Sequence, residues 1–122
     1  MPRAERGAAG STGAQAEALA ASYLEARGLS ILARNVRSRF GEIDLVARDR
    51  DTLVFVEVRL RSSHRFGGAA ASITPAKLAR VQAAALGYIA TLDRTPPCRI
   101  DAILLQALDE RGIEWLRDIG SA

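Results

Sequence analysis

The sequence predicts a single α+β domain in which two helices pack against one β-sheet. Two stretches show the apolar spacing of amphipathic helices, and five others show the alternation and β-branched content of strands. The chain has 122 residues, of which 48% are hydrophobic and 25% charged, so it is long enough for one apolar core and too short for two. We expect residues 12–122 to form this domain and residues 1–11 to be a disordered tail.

The helices are predicted from their end signals as well as from periodicity. Thr12 is a suitable N-cap for the first helix, with Gln15 three residues later, and Gly28 is a suitable stop. Thr74 can cap the second helix, with Pro75 as its first residue. Glu17 lies beside the apolar stripe of the first helix, at the edge of the face that should be buried.

The strands complete the element order α-β-β-β-α-β-β, with no internal repeat. The first three should form an antiparallel meander, in which residues 49–52 make the second hairpin loop. Residues 62–72 read as a loop. The strand segments are LSILARNVRS, EIDLVAR, LVFVEVRLR, CRIDAILL and IEWLRDI.

Charge is concentrated in one part of the chain. Seventeen Lys and Arg residues face fourteen acids, for a net charge of +3, and eight arginines lie between positions 34 and 65. Arginine binds phosphate through two parallel hydrogen bonds, so this segment suits a nucleic-acid backbone. A solvated hairpin held by salt bridges is the alternative explanation.

Other signals restrict the class of protein. No apolar run approaches a membrane span, and the first ten residues lack the hydrophobic segment of a secretory signal, so we expect a cytoplasmic protein without a membrane partner. The one cysteine, Cys98, cannot form an internal disulfide, and no Cys or His cluster has zinc-site spacing.

Three acids occupy strands that otherwise read as sheet core. Alternation places Val54, Val56, Val58 and Leu60 on one face with Ile43, Leu45 and Ala47, and it places Glu57 and Arg59 with Glu42 and Asp44 on the other. A loop over residues 49–52 pairs Arg48 with Leu53. Counting inward then sets Asp44 opposite Glu57 and Glu42 opposite Arg59.

Two facing carboxylates destabilise a sheet unless something compensates. One compensation is Mg²⁺, which often binds one or two carboxylates together with substrate phosphate and could support hydrolysis of that phosphate. The other is a cross-strand ladder in which Arg59 and Arg61 pair with Asp44 and Glu57. Spacing alone favours neither.

A family resemblance adds information at this point. The stretch GAQAEALAASYLEARGLSILARNVRSRFGEIDLVARDRDTLVFVEVRLRSS, with FG, TPAKLARVQAAALGYI and RIDAILL after it, resembles the YraN-type uncharacterised protein family. That family is grouped with the PD-(D/E)XK nucleases, which include archaeal Holliday-junction resolvases. The resemblance implies a restriction-endonuclease-like fold with a mixed sheet, phosphodiester hydrolysis on nucleic acid, chiefly DNA, and Mg²⁺ or Mn²⁺ as cofactor. It also suggests a homodimer by analogy.

The resemblance further implies a role for individual residues. Glu17 matches the helix acid that assists metal binding, Asp44 the metal-binding aspartate, and Glu57 the acid of the (D/E)XK motif. Arg59 falls on the motif lysine, so the chain has FVEVR where FVEVK is usual. Arginine stays protonated and is planar and bulkier, and Lys77 is a candidate substitute cation.

Three functions therefore stand as alternatives: a metal-dependent endonuclease, a non-catalytic nucleic-acid-binding module of the same fold, and a protein-interaction adaptor. The substitution at Arg59 motivates the second. The residues expected to contact nucleic acid are Arg34, Arg37, Arg39, Arg61 and Lys77.

Four further residues have weaker signals. His64 lies in the predicted loop beside Arg65, where an ordinary loop role is favoured over a phosphate contact. For Asp101 a structural salt bridge to Arg99 or a helix arginine is favoured over a place in the outer shell of the site. For Trp115 packing in the core is favoured over stacking on a base. Cys98 receives no catalytic role.

Overall fold

The computed structural model describes residues 12–60 and 73–120 and confirms an α+β sandwich. Its two helices and five strands follow the predicted order α-β-β-β-α-β-β. The predicted tail and loop lie outside the described residues, as do Arg61 and His64. The elements are α1 Thr12–Ala26, β1 Ser30–Ser38, β2 Gly41–Asp49, β3 Thr52–Leu60, α2 Pro75–Ile89, β4 Cys98–Leu105 and β5 Glu114–Gly120.

The strands form one mixed sheet in the spatial order β1-β2-β3-β4-β5. The pairs β1/β2 and β2/β3 are antiparallel, which confirms the predicted meander. The chain between β3 and β4 contains α2, and this crossover makes β4 parallel to β3, while β5 returns antiparallel to β4. β3 therefore lies in the middle of the sheet, where its side chains are screened from water on both faces.

The two helices cover opposite faces of the sheet. Alanines and Leu24 of α1 pack on the face that carries Val54, Val56 and Val58, whereas Val81 and neighbouring residues of α2 pack on the face that carries Phe55. The sheet face that bears the acids thus forms a second apolar core over most of its length, and the acids lie near one end of this face. Ile43 was predicted to lie on the same face as the valines. This prediction was wrong, because Ile43 packs in the α2 cluster with Val46 and Phe55.

The predicted helix ends are mostly confirmed. Thr74 caps α2 by accepting the backbone N–H of Lys77 at 3.2 Å, and Pro75 is the first helical residue. Gly28 follows α1 with a left-handed φ of +96°, which glycine adopts without a Cβ clash. Thr12, predicted as a cap, is instead the first residue of α1. Among the described helices, none is long and apolar enough to cross a membrane.

The hairpin between β2 and β3 has a shorter turn than predicted. Arg48 pairs with Leu53 as expected, but Asp49 also pairs with Thr52, so the turn is two residues rather than four. The ladder continues from there to Leu45 and Val56. The expected pairs of Asp44 with Glu57 and of Glu42 with Arg59 lie beyond the last recorded pair.

Asp101 is a structural residue, as predicted. It is fully buried and accepts hydrogen bonds from Arg99 Nε at 3.0 Å, Trp115 Nε1 at 2.9 Å and the backbone N–H of Asp118 at 2.8 Å. The ion pair with Arg99 is one of the two alternatives that the sequence suggested. Trp115 is half-buried and packs edge-to-face with Tyr23, which supports the prediction of a packing role.

Candidate functional site

The carboxylates of Asp44 and Glu57 meet where the β2/β3 ladder ends. Asp44 Oδ2 accepts a hydrogen bond from the backbone N–H of Val58 at 2.8 Å. The Asp44 side chain therefore takes the place of a carbonyl of the neighbouring strand as the acceptor for this N–H. Glu57 follows Val56, the last paired residue of β3, and is 6% exposed. The local geometry therefore places two acids side by side at the edge of a core.

This proximity changes the protonation of both acids. Burial, reinforced by the negative charge of Asp44, raises the pKa of Glu57 to about 7 despite the opposing charge of Arg59. Burial also raises the pKa of Asp44, although the Val58 N–H and Arg59 oppose the rise. The two carboxyl groups lie close enough for each to affect the pKa of the other, and a proton on Glu57 would relieve the repulsion between them.

Arg59 forms an ion pair with Glu57 of the same strand. The predicted alternative of a salt-bridge ladder is therefore present in part. The observed ion pair joins two residues of one strand, two positions apart, whereas the predicted ladder joined residues across the hairpin. The Arg59 Nε atom is buried and has no hydrogen-bond partner within the described part of the chain. One guanidinium consequently compensates only part of the charge of the buried Glu57 and the half-buried Asp44.

Glu17 approaches the same acids from α1. It is half-buried, as predicted, and burial together with the negative charge of Asp44 raises its pKa. When the Asn35 amide is oriented so that its nitrogen faces these carboxylates, the nitrogen donates to Glu17 Oε1 at 3.1 Å and to Glu42 Oε2 at 3.1 Å. The structure thus brings Glu17, Asp44 and Glu57 into one electrostatic cluster and adds Glu42 to it.

Asn35 and Glu42 were missed as site residues, although each carries a signal in the sequence. Asn35 lies inside a strand, where asparagine is disfavoured, and has a left-handed φ of 52°, which asparagine tolerates better than most residues. This backbone accompanies the approach of its side chain to two acids. Glu42 lies two residues before Asp44, and alternation already placed it on the same face, but it was not assigned to the site.

An open cleft of about 260 Å³ gives access to the carboxylate pair. Lys77 and Arg80 of α2 form its basic wall, one helical turn apart. The charge of Lys77 opposes the rise that burial causes in the pKa of Glu57, so Lys77 lies within electrostatic reach of that acid. Gly41 permits the close approach of α2, because a Cβ there would lie 3.1 Å from the backbone oxygen of Arg80. Arg80 was not predicted as a site residue.

The arginines of β1 and its turn lie elsewhere. Arg34, Arg37 and Arg39 are exposed and do not line the cleft described above. Arg37 Nε is 3.5 Å from Glu42 Oε2, and this contact links the basic strand to the acid cluster. Of the predicted nucleic-acid contacts that the structure describes, Lys77 alone reaches the cleft wall.

The donor set suits a cation that needs few protein ligands. Among residues 12–60 and 73–120, no three His, Cys, Asp or Glu side chains form a group arranged to hold a metal ion. Two adjacent carboxylates, however, match the one or two that Mg²⁺ commonly takes from a protein. A divalent cation would also relieve the repulsion that raises the pKa of Glu57.

The chain is similar to many bacterial proteins of one family. Residues 16–105 match the family described as Uncharacterised protein family UPF0102. A UPF0102 protein of Nitrosomonas europaea is 53% identical over 110 residues, which cover 90% of this chain and 93% of the relative. One from Cupriavidus taiwanensis is 58% identical over 106 residues, covering 86% and 79%, and one from Ralstonia nicotianae is 56% identical over 115 residues, covering 90% and 86%. This chain belongs to the UPF0102 family, which confirms the resemblance to YraN-type proteins.

Proposed function

We propose that this protein is a metal-dependent endonuclease-like enzyme that hydrolyses phosphodiester bonds in nucleic acid, chiefly DNA. The observation that carries the proposal is the carboxylate pair of half-buried Asp44 and buried Glu57, which lies at the end of the β2/β3 ladder and opens to a cleft with a basic wall. A restriction-endonuclease-like fold, a cytoplasmic location and a homodimer with two such clefts belong to the same proposal.

Asp44 and Glu57 would hold Mg²⁺ or Mn²⁺, and Glu17 would assist from α1. The bound ion would neutralise charge on the scissile phosphate and lower the pKa of an attacking water. The Val58 N–H holds Asp44 in place, and the packing of β3 in the sheet centre holds Glu57. The protein groups are therefore ordered before substrate binds, which favours catalysis.

The basic wall has a separate role in the proposed reaction. Lys77 and Arg80 would bind the non-bridging oxygens of the scissile phosphate and stabilise the charge that develops on them. Water adds to phosphorus, the bond to one ester oxygen breaks, and the proton released by water ends on that oxygen. Lys77 lies near Glu57, so its ammonium can perform the positioning that a motif lysine would give, while Arg59 remains paired with Glu57.

Incubation of the protein with linear and branched DNA in Mg²⁺ or Mn²⁺ tests the proposal. Asp44→Asn and Glu57→Gln keep side-chain shape and should each lower cleavage by at least ~100-fold, since the loss of a mere outer-shell partner of a metal ligand already costs about 10–100-fold. Asp93→Asn, which neutralises an exposed acid outside the cleft, should leave cleavage unchanged. Cleavage that survives both cleft substitutions would refute the assignment of the site.

The ion pair between Arg59 and Glu57 favours a second function, that of a nucleic-acid-binding module without catalysis. An acid occupied by a permanently charged guanidinium is a poorer metal ligand. Arg59→Lys distinguishes the two functions. If cleavage appears only in this variant, the native protein is a binder with an impaired site, and if both proteins cleave, the enzyme assignment holds.

A further inference from the structure

We propose that the opposite end of the sheet carries a second site, which binds a phosphate group of a nucleotide or nucleic acid. A cleft of about 570 Å³ lies there, lined by four arginines and Trp115, and we call it the arginine cleft. Asp49 of β2 lines it, whereas Asp44 of the same strand lines the carboxylate cleft. Asp49 lies five positions after Asp44, or about 17 Å along the strand at the usual rise, so the two sites are distinct.

The four arginines come from different parts of the fold. Arg27 follows α1, Arg50 lies in the β2/β3 turn, and Arg117 lies on β5. Arg99 of β4 is neutralised by Asp49 at 3.1 Å and Asp101 at 3.0 Å.

For Arg27, Arg50 and Arg117, no carboxylate partner occurs among residues 12–60 and 73–120. Asp51 is the remaining acid of the lining. Three guanidinium groups against one carboxylate leave a positive charge that an anion would balance.

Two of these guanidinium groups are stacked on aromatic rings. The Cζ atom of Arg27 lies 3.5 Å from the ring centre of Tyr23, and that of Arg117 lies 3.9 Å from the ring centre of Trp115. The two rings contact each other edge-to-face at 6.4 Å, and Asp101 fixes the indole nitrogen at 2.9 Å.

Stacking uses the face of a guanidinium and leaves its in-plane N–H donors available. Arg27 uses one donor on the Tyr23 carbonyl at 3.2 Å, and four remain. The donors are thus ordered before a ligand arrives, whereas a free surface arginine must lose side-chain entropy to bind. An arrangement that served only to cover the aromatic rings would not require a third arginine at the same cleft.

Arg50 supplies independent support. Its φ of 59° is left-handed, a conformation that costs an arginine energy which glycine or asparagine would avoid. Hairpin turns of two residues strongly prefer asparagine, aspartate or glycine at such positions. The presence of a strained arginine beside two stacked ones indicates that its charge is needed at this cleft.

Phosphate is the anion that this chemistry fits best. Its oxygens lie on several sides, so guanidinium forks from three elements can bind it together, and a terminal phosphate also carries more negative charge than a carboxylate. The ligand is either a small phosphate compound or the backbone of a single strand, and the two sources share this chemistry. The experiment below separates them.

The chain has one tryptophan, Trp115, so tryptophan fluorescence excited selectively over tyrosine reports on the arginine cleft. We expect inorganic pyrophosphate, or a short oligothymidylate, to produce a saturable change that weakens as salt rises. Arg27→Gln and Arg117→Gln should each weaken binding by about tenfold, as expected for the loss of one charge-assisted contact. Arg111→Gln removes the same charge from the exposed loop between β4 and β5, outside the arginine cleft, and should not alter the pyrophosphate response.

Arg50→Gly separates binding from folding. Glycine relieves the left-handed φ, so the variant should unfold at a higher temperature while its affinity falls about tenfold. Neither Asp44 nor Glu57 lines the arginine cleft, so this site can hold even if the proposed nuclease activity does not.

Saturation by pyrophosphate alone would assign a small phosphate ligand, and tighter binding of the oligonucleotide would assign a nucleic-acid backbone. Both results support the phosphate site. Absence of saturation by either probe at low salt would overturn it, and so would equal affinities in the native protein and all three cleft variants.

Discussion

Glu57→Gln tests the electrostatic description of the carboxylate pair. The pKa of Glu57 rises from 4.5 to about 7 on folding, so the folded protein binds the proton more tightly than the unfolded chain. The contribution of Glu57 to stability is therefore fully present below pH 4.5 and is lost as pH rises through about 7. A gap of ~2.5 units corresponds to ~3 kcal/mol at most, and water in the open cleft reduces this to roughly 2 kcal/mol.

Glutamine keeps the shape of the side chain and cannot ionise, so the variant should escape this loss. We expect its free energy of unfolding, measured by urea denaturation with a metal chelator present, to exceed that of the native protein by roughly 2 kcal/mol near pH 8. Near pH 4.5 the two proteins should differ little. Glu25→Gln makes the same substitution at an exposed acid of α1, the helix that carries Glu17, and is therefore the matched control.

The reasoning would be refuted by either of two results. One is a Glu57→Gln protein no more stable than the native protein near pH 8. The other is an equal gain at both pH values, which would indicate a packing effect rather than relief of charge.

Three further outcomes are expected. Asp101→Asn should lower the free energy of unfolding by ~2–4 kcal/mol, because a fully buried carboxylate that binds Arg99 and Trp115 loses its charge; an unchanged urea midpoint would contradict this. Gly41→Ala should cost ~1–3 kcal/mol in thermal unfolding, since its Cβ would press on the Arg80 backbone, and a neutral effect would show that α2 can shift freely. Millimolar Mg²⁺ should raise the unfolding temperature more near pH 8 than near pH 5, because the ligands must be deprotonated; equal shifts would argue against carboxylate ligands.

Much of the fold could be predicted from the sequence because helices and strands leave local periodic signals. The order of all seven elements was predicted, as were the Thr74 cap and the pairing of Arg48 with Leu53. The length of the β2/β3 turn was predicted wrongly. A two-residue turn with Arg50 in the left-handed region lacks the usual glycine or asparagine signal.

The candidate site was predictable in part. Alternation along β3 placed Glu57 and Arg59 on one face, and their ion pair agrees with that placement. Alternation could not show that α2 would cover this face, because the presence of Phe55 on the face does not identify the helix that packs there. The face of Ile43 was assigned wrongly for a different reason: strict alternation does not hold along β2, since Ile43 packs in the α2 cluster whereas Leu45 packs in the α1 cluster.

The sequence by itself determined the elements, their order and the residue types available for chemistry, because these depend on hydrogen bonding and burial over a few residues. The tertiary structure decided which charges meet. Glu17 reaches Asp44 only because α1 packs on one face of the sheet, and Lys77 reaches Glu57 only because α2 packs on the other. Such contacts depend on how apolar surfaces far apart in the chain fit together, and no local pattern records that fit.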